Sequence, residues 1–238
     1  MNRSPRVCRT VALLFTSAAT ALVAGCGLST ADGSASTGSP TAAATLTQIT
    51  PSPGTGSLGP GFATDSALPP PGGTMTPSPA SWSGVTVPEG YTAVLVSTDD
   101  NASARVLTAA VKTWAAAHDV TLSLVPAHDP ATYVASIQKA IDLKKNLVIS
   151  AGDPLADPMA LVTASWLDQK FLVLGAELAE PTANVTAAIW AGVNNRGGGA
   201  THAASDPSTF TADRAGRAMD AGVAAVLRGY SGFVVKVD

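Results

Sequence analysis

The sequence predicts an α/β layer structure, doubly wound around a mostly parallel sheet. Three observations carry that expectation. Short runs rich in Val, Ile and Leu recur through residues 89–238, and they are apolar on both faces. Segments with apolar residues at helical spacing separate them. The 150 residues from 89 to 238 are enough for one well-buried core. Strands without a polar face need cover on both sides, and helical crossovers supply it. Right-handed crossovers then give a flavodoxin-like winding.

Tyr91-Thr92-Ala93-Val94-Leu95-Val96 reads as the first strand. A helix near 102–118 follows, with Val106, Leu107, Ala110, Val111 and Trp114 on one stripe. Val120–Val125 is a second strand. Asp129-Pro130 places an N-cap and a first-turn proline before a helix whose buried face is expected at Val134, Ile137 and Ile141. Leu147-Val148-Ile149-Ser150 is the third strand. Asp157-Pro158 should open a helix burying Met159, Val162 and Trp166. Phe171–Leu174 and Val185–Trp190 are further strands. Asn194 to about Thr211, with Gly197-Gly198-Gly199, reads as a mobile loop. A last helix near 213–228 carries Ala215, Met219, Gly222, Val223 and Val226, and Phe233–Val237 closes the chain.

The N-terminal part reads as an address and a spacer. Arg3, Arg6 and Arg9 precede an uncharged apolar run from Val11 to Gly25, which describes a signal peptide over residues 1–25. The run ends Leu22-Val23-Ala24-Gly25-Cys26 and resembles the lipobox of bacterial lipoproteins. That resemblance implies cleavage before Cys26 and a diacylglycerol on its thiol. Acyl burial at about 0.8 kcal/mol per CH₂ makes two or three chains a firm anchor to the bilayer. Of the 62 residues from Gly27 to Pro88, 49 are Ser, Thr, Pro, Gly or Ala, so 26–88 is expected to be a lipidated, disordered tether. Gly54-Thr55-Gly56-Ser57-Leu58-Gly59 matches G-x-G-x-x-G, but no strand precedes it and no helix follows, so it is no dinucleotide site.

Charge and motifs narrow the function. Without the first 25 residues, 11 bases face 17 acids, a balance of −6 that argues against nucleic acid as a partner. There is no G-x-S-x-G, P-loop or H-E-x-x-H, and His118, His128 and His202 stand apart, so neither an enzyme, a metal centre nor a cofactor is expected. In an open parallel sheet, ligands bind beyond the carboxyl ends of the strands. There the chain places Thr98, Asp99, Asp100 and Asn101, then Gly152 and Asp153, then Glu177. Carboxylates and an amide on one rim can accept hydrogen bonds from hydroxyls. A phosphate fits less well, because like charges would meet and these turns hold no Lys or Arg. Helix capping is the competing role for Asp100, Asn101 and Asp153.

Four segments in order resemble the basic membrane lipoprotein family of type I periplasmic solute-binding proteins. They are Val94–Asp100, Leu147–Gly152 with Ala156-Asp157, Lys170–Leu174, and Ala221–Leu227. The turn Asn101-Ala102-Ser103-Ala104 departs from that family in lacking an aromatic residue. The resemblance implies a lipid-anchored protein on the extracytoplasmic face of the cell membrane. It also implies the substrate-binding role of an ABC importer, with a permease as partner and a nucleoside or sugar as solute. The chain stops at Asp238, where that family's second lobe would open. The helix at 213–228 and the strand at 233–237 are therefore expected to pack on the one sheet or to pair with another molecule. The alternative is a surface module that docks a partner or dimerises without binding solute.

Overall fold

A computed structural model of the chain describes residues 51–63, 68–194, 196–198 and 204–238. The signal peptide, Cys26 and the tether up to residue 50 lie outside the described residues. Among the described residues, no helix is long and apolar enough to cross a membrane.

The elements run in chain order as β1 (Thr74–Met75), β2 (Thr92–Ser97), α1 (Ala102–Ala117), β3 (Thr121–Pro126), α2 (Tyr133–Asp142), β4 (Leu147–Ala151), α3 (Ala156–Thr163), β5 (Lys170–Leu174), β6 (Val185–Trp190), α4 (Ala212–Leu227) and β7 (Val234–Val237). The sheet has seven strands in the order β1-β7-β6-β5-β4-β2-β3, and every pairing is parallel. The expected doubly wound α/β architecture is therefore the observed one. α1 and α4 pack together on one face, α2 and α3 on the other. Alternation within a strand divides the side chains: Leu95 and Ile149 join the α1/α4 core, whereas Val94, Val96 and Val148 join the α2/α3 core. β7 lies between β6 and β1, so the last strand does pack on the single sheet.

The largest correction concerns the tether. Residues 51–63 and 68–88, read as structureless, strap the body. Phe62 is 2% exposed and meets the Tyr230 ring edge-on at 5.8 Å. Met75 is buried, and its two-residue strand pairs with Val234 and Val235 of β7. Backbone bonds tie the strap down: Ser52 N–H to the Leu227 carbonyl (2.8 Å), Gly72 N–H to Gly232 (2.8 Å), and Val234 N–H to Gly73 (3.0 Å). The Gly54–Gly59 stretch runs beside Val85 and Ser81, far from any strand-to-helix turn. A few large apolar side chains with paired backbone suffice where average composition predicts none.

Three smaller corrections are local. α2 starts at Tyr133 after a 3-10 turn capped by Asp129, so Tyr133, Ile137 and Ile141 form the buried stripe and Val134 is exposed. Winding toward α3 begins at Asp153-Pro154, one turn before Asp157-Pro158. α3 ends at Thr163, which leaves Trp166 in a turn at 40% exposure. β3 is an edge strand with Leu124 in water, so it is not apolar-covered on both faces.

Trp82 of the strap closes a cavity of about 200 Å³ against Trp114, His118 and Asp220. Burial raises the Asp220 carboxyl above its ordinary value of 3.8, and His118, 3.8 Å away, opposes the shift. The folded carboxyl therefore holds its proton more tightly than the unfolded one. Its contribution to stability is full below the ordinary value and is lost as pH rises through the shifted one.

Candidate functional site

β2 sends its connection outward to β3, and the chain then returns past β2 to β4. The strand order reverses between β2 and β4, and a crevice opens beyond their carboxyl ends. A cleft of about 360 Å³ occupies that place, within the roughly 300–1,000 Å³ usual for small-molecule sites. It is lined by Asn101, Ser103, Gly152, Asp153, Ser205 and Phe210, with Ala102, Ala104 and Pro207 between them.

The turn after β2 builds one wall. Thr98 is fully buried, and its hydroxyl donates to Asp100 Oδ1 at 2.6 Å. Asp100 also accepts from Asn101 Nδ2 at 2.9 Å. Asn101 is the helix cap: its Oδ1 accepts from Ala104 N–H at 2.9 Å. Asp99 adopts a left-handed φ of 50° and takes the Ser97 hydroxyl at 3.1 Å. Its carbonyl receives Arg105 Nη1 at 3.4 Å. His128 Nδ1–H donates to the Thr98 carbonyl at 2.8 Å. Of this turn, then, Asn101 reaches the cleft, and Thr98, Asp99 and Asp100 brace it from behind. The start of α1 also leaves the amides of Ala102 and Ser103 without partners inside the helix, so donors stand beside the acceptors.

The second wall follows β4. Gly152 has φ 119° and ψ 141°, a conformation that side chains rarely adopt, and it lets the chain turn sharply into Asp153. Asp153 Oδ1 accepts from the Ser205 hydroxyl at 3.5 Å, and Ser205 Oγ in turn accepts Asn194 N–H at 3.1 Å.

The third wall was not legible in the sequence. Ser205, Pro207 and Phe210 come from the stretch read as a mobile loop. A 3-10 turn over Pro207–Thr209, capped by Asp206, fixes its second half. Phe210 stands edge-on to Trp190 with centroids 5.0 Å apart. It supplies the aromatic surface that the Asn101–Ala104 turn lacks. Gly175 gives Phe210 room: a Cβ there would lie 3.1 Å from the ring and 2.9 Å from Leu107.

Glu177 does not line this cleft. It is 7% exposed and pairs with Arg196 Nε at 3.0 Å. Burial raises its carboxyl, while Arg196 and Lys236 pull it down. Asp157, in the first turn of α3, accepts the Gly198 amide. No group of three metal-ligating side chains occurs among the described residues.

No family model matches the sequence, and no curated protein does. Solved structures similar to the chain include an ABC transporter solute-binding protein from Aeropyrum pernix K1, at 15% identity and TM-score 0.39 over 43% of this chain and 29% of that one. A fragment of a candidate lipoprotein from Peptoclostridium difficile 630 is 16% identical, with TM-score 0.42 over 58% of this chain and 97% of that one. An ABC transporter solute-binding protein from Bradyrhizobium sp. BTAi1, holding Bis-Tris, is 14% identical with TM-score 0.33 over 77% and 58%. The chain thus spans less than two thirds of the length of either solute-binding protein. At these values the fold rests on the strand order itself.

Proposed function

We propose that the cleft between the β2 and β4 turns binds a small, uncharged, hydroxylated solute of the nucleoside or sugar class. The observation that carries this reading is the lining: Asp153, Asn101 and Ser205 beside the aromatic edge of Phe210. Hydroxyls of a sugar ring donate to the carboxylate and amide oxygens, and a flat or apolar ring face lies on Phe210. The acids of the rim, among them Asp99, Asp100 and Asp153, disfavour an anion. Within this reading the protein is held by an acylated Cys26 at the extracytoplasmic face and hands its solute to an ABC permease. A binding role fits a cleft whose hydroxyls are held by neighbouring carboxylates, Thr98 by Asp100 and Ser205 by Asp153.

Thermal unfolding against a panel of nucleosides and sugars tests the solute. At about 100 times Kd the right ligand adds about 2.7 kcal/mol, and Asp153→Ala abolishes the gain. A panel without any shift at millimolar concentration contradicts the proposal. Radiolabelled fatty acid is expected to mark the chain and to fail on Cys26→Ala; an unlabelled parent removes the anchor from the reading.

A further inference from the structure

The amino edge of the sheet carries a second surface of different character. Two turns there meet: the one from α2 to β4 and the one from α3 to β5. Gln169 Nε2 joins them, donating to the Lys145 carbonyl at 3.2 Å and the Lys170 carbonyl at 3.0 Å. Leu147 and Lys170 face each other in the adjoining strands. Together the turns expose Leu143, Trp166 and Leu167, the last at 61%. Leu161 of α3 is also exposed, at 74%.

This exposure is built. Asn184 is 2% exposed, and its Nδ2 donates to the carbonyls of Thr163, Trp166 and Gln169 at 3.2, 2.9 and 3.1 Å. A buried amide thus fixes the shape of the turn that holds Trp166 and Leu167 in water. Lys144 sits at φ 51°, after the C-cap of α2, where glycine is the ordinary occupant. A lysine occupies this position despite the strain.

The charge of the surface runs against that of the molecule. Lys139 lies in the last turn of α2, Lys144 and Lys145 in the turn after it and Lys170 at the start of β5, with Asp142 and Asp168 as the acids of these stretches. None of the four lysines pairs with a carboxylate among the described residues. The cleft lies at the opposite, carboxyl edge.

We propose that this surface docks on an anionic lipid bilayer, Trp166 and Leu167 entering the interface and the lysines meeting headgroup phosphates. Tryptophan is the side chain that settles at headgroup depth, and clustered lysines are drawn to anionic lipid. Docking turns the cleft away from the membrane, so the docked chain is a resting pose and hand-over of solute to a permease requires its release. Docking does not depend on acylation of Cys26 or on the solute.

The test uses the full chain with vesicles of phosphatidylcholine alone or mixed with phosphatidylglycerol, their acyl chains brominated near the carbonyl end. Tryptophan fluorescence is expected to be quenched and blue-shifted on the anionic vesicles only. Trp166→Phe removes that quenching, and Lys144→Ala lowers the docked-to-free ratio about fivefold. Absence of quenching, equal quenching on neutral vesicles, or quenching that survives Trp166→Phe overturns the proposal. A photocrosslinker at position 166 that captures protein but never lipid in cells overturns it in favour of a protein partner.

Discussion

Phe62→Ala is expected to lower the unfolding free energy by about 3–5 kcal/mol, the usual cost of emptying a buried aromatic site. The ring is 2% exposed and leans on Tyr230, a residue 168 positions later in the chain. Its loss leaves a hole beneath the strap and loosens β1 from β7. Urea unfolding followed by circular dichroism measures the effect. A substitution in a freely moving tether would stay within about 0.5 kcal/mol, so a near-neutral result would show that the strap does not pack.

Trp190→Ala is expected to cost about as much, again about 3–5 kcal/mol, and also to degrade the cleft. Trp190 is fully buried at the end of β6, its Nε1–H donates to Thr209 Oγ1 at 3.2 Å, and its ring braces Phe210. Removing it unsupports the Pro207–Thr209 turn from two sides. Trp190→Phe keeps most of the volume and loses the one hydrogen bond, at about 1 kcal/mol. The alanine variant should therefore lose ligand stabilisation beyond its lost stability, and the phenylalanine variant should keep most of it. Equal ligand response in all three would separate the β6 end from the site.

The two variants mark what could and could not be read from the residues. Strands β2, β4 and β5 are continuous apolar runs because helices cover both their faces, and the runs themselves declare it. Asn101, Gly152 and Asp153 were legible for a related reason: the winding of a parallel sheet dictates where its turns converge. Phe62 was not, since the burial of one ring by Tyr230 leaves no local pattern in a stretch dominated by small residues and proline. Phe210 and Ser205 escaped because they reach the cleft from the far end of the chain, after β6. Glu177 looked like a free acceptor, and only the fold brings Arg196 to it. Val134 was displaced by a single position: Tyr133, four residues before Ile137, takes the buried place that the three-residue spacing assigned to Val134.

Amide chemical shifts of the isotopically labelled chain, followed while a nucleoside or sugar from the screen is added, report most directly on where a solute sits. Perturbations gathered at residues 101–104, 152–153 and 205–210 are the predicted result. Perturbations gathered instead around Trp82, Trp114 and Asp220, beneath the strap, would contradict the assignment of the binding cleft.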